Sequence, residues 1–178
     1  AKLADMDKVT YQGLNGAIFA LIALDTKPYE ADDSVREALV SNILEKELAT
    51  GGWAFSGSSA DPDMTGMAIQ ALAPYYQTNE DVKAAVNRGV TRLSELQESD
   101  GGYGSWGNVN PESAAQVIVA LSAIGIDANT DERFVKNGTG VVDAMIRFAD
   151  ETGGFKHTMT TAVNAMATDQ AGYALVAY

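Results

Sequence analysis

Gly51-Gly52-Trp53, Gly101-Gly102-Tyr103 and Gly153-Gly154-Phe155 repeat one tripeptide, two glycines and an aromatic, at offsets of 50 and 52 residues. A motif recurring at this period marks a supersecondary unit that buries its apolar face only by stacking on its neighbours, so the period decides the fold class before any chemistry is read. A second register agrees. Ala20-Leu21, Ala71-Leu72, Ala120-Leu121 and Ala174-Leu175 recur at offsets of 51, 49 and 54.

The segments carrying these Ala-Leu pairs, 16–24, 67–73, 116–121 and 172–177, are apolar almost all round, as helices enclosed by protein are. Between them lie segments with two faces. Val35, Leu39, Ile43 and Leu44 alternate at helical spacing with Arg36, Glu37, Asn42, Glu45 and Lys46. Val82, Val86, Val90 and Leu93 do so with Lys83, Asn87, Arg88 and Glu95, and a third set, Val141, Val142, Met145, Ile146 and Phe148, leaves Asp143 and Arg147 outward. Ser34 with Glu37 reads as a capping box, and Thr78 with Asp81 resembles one. Each unit is therefore an apolar helix, a connection, an amphipathic helix and a glycine-bearing loop. The predicted fold is all-α, a segment of an α/α toroid over 1–178, with apolar helices in a parallel inner layer and amphipathic ones outside. No alternating strand pattern of useful length competes with it.

Composition narrows the function. With 12 basic against 24 acidic residues the net charge is -12, which argues against binding a phosphate backbone or an anionic membrane surface. The absence of cysteine excludes disulfides and thiolate metal sites, and a single His157 cannot hold a metal, so no metal or cofactor is expected. No apolar run reaches the roughly 20 residues of a membrane span. The chain opens and closes within the repeat pattern and without an initiator Met, which suggests a piece of a larger toroid in a multidomain protein.

Leu93-Ser94-Glu95-Leu96-Gln97-Glu98-Ser99-Asp100-Gly101-Gly102-Tyr103 is similar to the Gln-x-x-x-Gly-x-Trp repeat of the prenyltransferase and squalene cyclase superfamily, and Asp61-Pro62-Asp63-Met64-Thr65-Gly66-Met67-Ala68 also resembles that superfamily. Stretches 114–127 and 164–170 resemble toroids of Gram-positive secreted or surface proteins, which are themselves similar to the helical domain of cobalamin carriers. The resemblance implies the toroid fold and an extracellular or cell-surface location; it implies no single activity. The zinc site of protein prenyltransferases and the thioester branch both need a Cys that this chain lacks. Class II terpene cyclases protonate an isoprenoid with the middle Asp of Asp-x-Asp-Asp; Asp63 matches that acid, whereas the last Asp is Met64 here.

A structural reading of these acids competes with the catalytic one. Asp61-Pro62-Asp63 returns 49 residues on as Asn110-Pro111-Glu112, with the N-cap, first-position proline and first-turn acid of a helix start. Parallel inner helices put all their N-termini at one rim, and the glycine loops lead into it. That rim would gather Tyr11, Gln12, Asn15, Trp53, Phe55, Asp61, Asp63, Tyr103, Trp106, Asn108, Glu112, Phe155, His157, Asn164 and Asp169. Aromatics among amides and acids suit an uncharged or cationic organic ligand such as a glycan or a corrin. Trp53, Tyr103 and Phe155 share one repeat slot and so also read as wedges between helices, leaving Phe55 and Trp106 as ligand contacts. Met64, Met67 and Met166 read as packing. Asp127, Asn129, Thr130 and Asp131 read as turn and cap residues rather than a calcium loop.

Three functions stay open. The first is a noncatalytic surface module whose rim meets a small molecule, a glycan or an adjoining domain. The second is an enzyme, a terpene cyclase with Asp63 as general acid or a glycan-cleaving carboxylate pair. The third is a structural adhesin or spacer segment.

Overall fold

Three inner-helix starts share one local solution. Asp61, Asn110 and Asn164 each sit in extended backbone and accept a hydrogen bond on the side chain from the amide three residues on, at Met64, Ser113 and Ala167. Pro62 and Pro111 then occupy the first helical position, where no amide hydrogen is needed.

The computed structural model describes residues 5–27, 29, 33–105 and 107–178. Among the described residues the α-helices are α1 (Met6–Val9), α2 (Leu14–Asp25), α3 (Asp33–Glu45), α4 (Pro62–Leu72), α5 (Glu80–Leu96), α6 (Pro111–Ala123), α7 (Val141–Ile146) and α8 (Ala165–Ala177). Helices α2, α4, α6 and α8 pack side by side in that order, and α3, α5 and α7 each back the inner helix that precedes them. The layering expected from the two apolar registers is thus observed. Leu21, Leu72 and Leu121 are fully buried between the layers. Leu175 departs from them at 40% exposed: α8 buries only the stripe Ala167, Ala171 and Ala174, and no described amphipathic helix covers its other side.

The glycine loops are built alike three times. Leu48, Glu98 and Asp150 donate their amides to Gly52, Gly102 and Gly154, and Gly51, Gly101 and Gly153 return the bond to Leu48, Glu98 and Asp150. This tight turn holds the first glycine at φ of 81°, 86° and 96°, a left-handed conformation that a side chain would strain. The aromatic that follows closes the gap between layers. Trp53 Nε1 donates to the Ile43 carbonyl at 2.8 Å and the Tyr103 hydroxyl to the Leu93 carbonyl at 2.8 Å, each reaching ten residues back to the end of the preceding outer helix. Those carbonyls lie in the last turn, where the helix has few partners of its own to offer. Trp53 and Tyr103 are fully buried and present no surface to a ligand, which corrects their place on the rim; Phe155, without a polar tip, is half-buried.

Other differences are local. The cap expected at Thr78 is made one residue later, where Asn79 accepts from Asp81 and Val82. Helix α3 already includes Ser34 in its first turn, and the residue preceding Asp33 lies outside the described residues. Two hairpins of two-residue strands form where no strand was expected, β1 (Gly104–Ser105) with β2 (Asn108–Val109) and β3 (Phe155–Lys156) with β4 (Val163–Asn164). They are loops returning to an inner helix, too short for any period-2 signal to register. Asp127 accepts the amides of Asn129 and Thr130, and Asp131 that of Arg133, in agreement with the turn-and-cap reading.

Helices α4 and α6 approach closely at Gly66, where an added Cβ would lie 2.8 Å from the Gln116 carbonyl oxygen. Asp25 ties the first hairpin to the second, accepting from Arg36 Nε and from the Tyr75 hydroxyl, both at 2.9 Å.

Candidate functional site

The caps place the next residues by helix geometry alone. Positions two and six beyond each cap lie four apart, on one helix face: Asp63 and Met67 on α4, Glu112 and Gln116 on α6, Met166 and Gln170 on α8. The loops add one residue each, two beyond the aromatic of the glycine loop: Phe55, Ser105 and His157. These nine positions, three per repeat, all line two adjoining clefts at the helix N-termini. The first, about 350 Å³, lies over α4, α6 and α8 and is lined by Asp63, Met67, Ser105, Asn108, Asn110, Glu112, Gln116, His157, Met166 and Gln170. The second, about 610 Å³, lies over the start of α4 and carries Asn15, Phe55, Asp61, Pro62, Asp63, Met64, Met67, Leu96 and Ser105. Asp63, Met67 and Ser105 belong to both.

The acids at these helix starts divide. Asp61 is structural: Oδ1 caps α4 through the Met64 amide and Oδ2 accepts the Phe55 amide, both at 2.8 Å. Asp63 and Glu112 do not cap. Asp63 Oδ1 and Glu112 Oε2 are both buried without a hydrogen-bond partner. Burial pushes the Asp63 carboxyl above its ordinary value, the charges of Asp61 and Glu112 add to that, and the hydroxyls of Ser113 and Ser105 oppose it. The other Glu112 oxygen is held by His157 Nδ1 at 2.9 Å, a contact that brings the loop before α8 onto the start of α6; the Glu112 side chain is only 13% exposed. On the concave face Gln116 donates to Gln170 at 3.2 Å, and Gln70 reaches Tyr173 at 2.8 Å, so α4 and α8 meet across α6.

Of the rim candidates, Asp63, Asn108, Glu112 and His157 converge on the first cleft, and Asn15, Phe55, Asp61 and Asp63 on the second. Asn164 is exposed and serves as the α8 cap, and Asp169 is exposed and lines neither cleft. Tyr11 stands in solvent; Gln12 lines a separate depression with Lys8 and Phe19. Trp106 lies outside the described residues. Sequence reasoning missed Ser105, Gln116 and Gln170 as lining residues and treated Met67 and Met166 as packing alone. Extending the repeat alignment six residues past each cap would have found the four helix residues, and aligning the slot of Phe55 and His157 would have found Ser105. Among the described residues no three of His, Asp and Glu come together to hold a metal ion, and no helix is long and apolar enough to cross a membrane.

No protein-family model matches the chain, and no curated protein matches it. A solved structure does. Candida albicans protein geranylgeranyltransferase-I complexed with GGPP matches with a TM-score of 0.61 at 17% identity, over 92% of this chain and 48% of that one. This chain thus spans about half the length of the enzyme it resembles, and at that identity the likeness is one of fold. The all-α hairpin architecture is therefore similar in fold to this prenyltransferase, an α/α toroid-type fold.

Proposed function

We propose that this chain is a noncatalytic recognition module of a surface protein, a toroid segment whose inner-helix rim binds a small organic ligand rich in hydroxyl or amine donors. The observation that carries the reading is the pair of buried, unpartnered carboxylate oxygens, Asp63 Oδ1 and Glu112 Oε2, on residues lining one cleft among amides. Buried polar atoms normally have partners, so such a pair suits a guest that brings donors. A cleft of this size, concave and with a few converging polar groups, is ordinary for a small-molecule site.

Thermal shift and calorimetry against spermidine, simple sugars, chito- and cello-oligosaccharides and cobalamin test the proposal. A ligand present at a hundredfold excess over Kd stabilises the fold by about 2.7 kcal/mol. The expected outcome is a saturable shift that Glu112→Gln weakens at least tenfold in Kd. No shift across the panel, or a shift indifferent to Glu112→Gln, refutes it.

A second reading, proton donation by Asp63, is favoured by the raised affinity of that carboxyl for its proton and by the apolar Phe55, Met64 and Leu96 in the cleft beside it. The polar side chains of the first cleft weigh against isoprenoid cyclisation. Turnover of an isoprenoid substrate that is lost in Asp63→Asn would select this reading over the first.

A further inference from the structure

Each of three successive hairpins contributes the same three rim positions, so the two clefts form one groove running across consecutive helix ends, joined at Asp63, Met67 and Ser105. The chemistry changes along it. At the α6–α8 end the lining is amide, imidazole and carboxylate, groups that accept and donate hydrogen bonds in several directions. At the α4 end Phe55 stands 66% exposed at the cleft edge, beside Met64 and Met67. An exposed aromatic is not there for the core, whose wedge in that loop is Trp53.

We infer that this groove takes an oligosaccharide of neutral or amino sugars, at least two units long, with one unit hydrogen-bonded by Glu112, Gln116 and His157 and the next laid on the Phe55 ring. This rests on the recognition reading above and adds ligand class, polarity and direction. Three observations bear on the choice. A pyranose carries hydroxyl donors around its edge, which buried carboxylate oxygens lack, and an apolar C–H face, which an exposed phenyl ring covers. The groove's own carboxylates, Asp61, Asp63 and Glu112, against one imidazole, disfavour acidic sugars. Finally, a repeat that offers equivalent positions at successive steps matches a ligand that is itself a repeat.

The test is a length series measured by calorimetry: N-acetylglucosamine and its β-1,4 dimer, trimer and tetramer, with the glucose series in parallel. Affinity should rise about tenfold from one unit to two or three and then level off, a step equivalent to about 1.4 kcal/mol. Phe55→Ala should abolish that length-dependent gain, so that the dimer and trimer bind no more tightly than N-acetylglucosamine. Glu112→Gln should weaken every member. Affinity independent of length, or a gain that survives Phe55→Ala, overturns the inference. Binding of spermidine or cobalamin with no sugar bound overturns it too while leaving the recognition reading standing, whereas silence of every probe removes both.

Discussion

Replacing Asp63 by Asn should make the protein more stable at neutral pH while damaging the cleft. The Asp63 carboxyl is largely buried, one oxygen has no partner, and Asp61 and Glu112 repel its charge. Asparagine keeps a polar group at the site but removes the buried charge and its repulsion by Asp61 and Glu112; a charge costs more to bury than a neutral group, and because Ser105 and Ser113 partly offset the burden the gain is small, about 1 kcal/mol. In a domain of this size that is a rise in Tm of about 2–4 °C. The sign with pH follows from the upward shift. Below 3.8, the ordinary value, folded and unfolded chains both hold the proton and Asp63 costs nothing. As pH rises through the higher folded-state value, the native chain must give up a proton it holds more tightly than the unfolded chain does, and stability is lost. The asparagine variant has no such titration. Urea melts of parent and variant at pH 3 and pH 7, on either side of the pI near 4.3, should show a difference that opens with pH. A variant less stable than the parent at pH 7, or a difference equal at both pH values, would refute the account of Asp63 as a strained site carboxylate.

Two further perturbations probe the frame that holds the site. Tyr103→Phe leaves the Leu93 carbonyl without its partner and should cost about 1–2 kcal/mol in a denaturant melt, whereas Tyr103→Ala, which also empties the slot, should cost about 3–5 kcal/mol; a Phe variant as stable as the parent would show that the hydroxyl contributes nothing, and equal losses in the two variants that the ring's packing does not. Gly66→Ala sets a methyl 2.8 Å from the Gln116 backbone and should destabilise by about 1–3 kcal/mol by forcing α4 from α6. Because those two helices line the first cleft through Asp63, Met67, Glu112 and Gln116, the same change should weaken ligand binding measured by calorimetry, and unaltered affinity would mean that the approach at Gly66 does not set the groove.

Much of this molecule is legible in the chain itself because its signals are local. The glycine pairs, the cap-proline-acid triplets and the 3.6-residue spacing each act within a few residues, and they foretell the hairpins, both layers and the helix starts at Asp61 and Asn110. The divided roles of the acids were not legible. Asp61 and Asp63 are two residues apart in one motif, and a first-turn acid satisfies the helix dipole wherever it points; only packing shows that Asp61 is consumed by two amides while Asp63 faces a cleft.

Sequence alone determined the repeat, its all-α hairpin, the buried aromatic wedges as one of two readings, and the want of cysteine ligands. Tertiary structure decided which rim residues meet. It joined Glu112 to His157, 45 positions apart, and Gln70 to Tyr173, 103 apart, and it left Asp169 outside. The physical reason is that helix periodicity orients a side chain only about its own axis, whereas convergence depends on the distance and rotation between neighbouring helices. Those are set by close packing at places such as Gly66 against Gln116, a contact between residues that carry no mark of each other in the sequence.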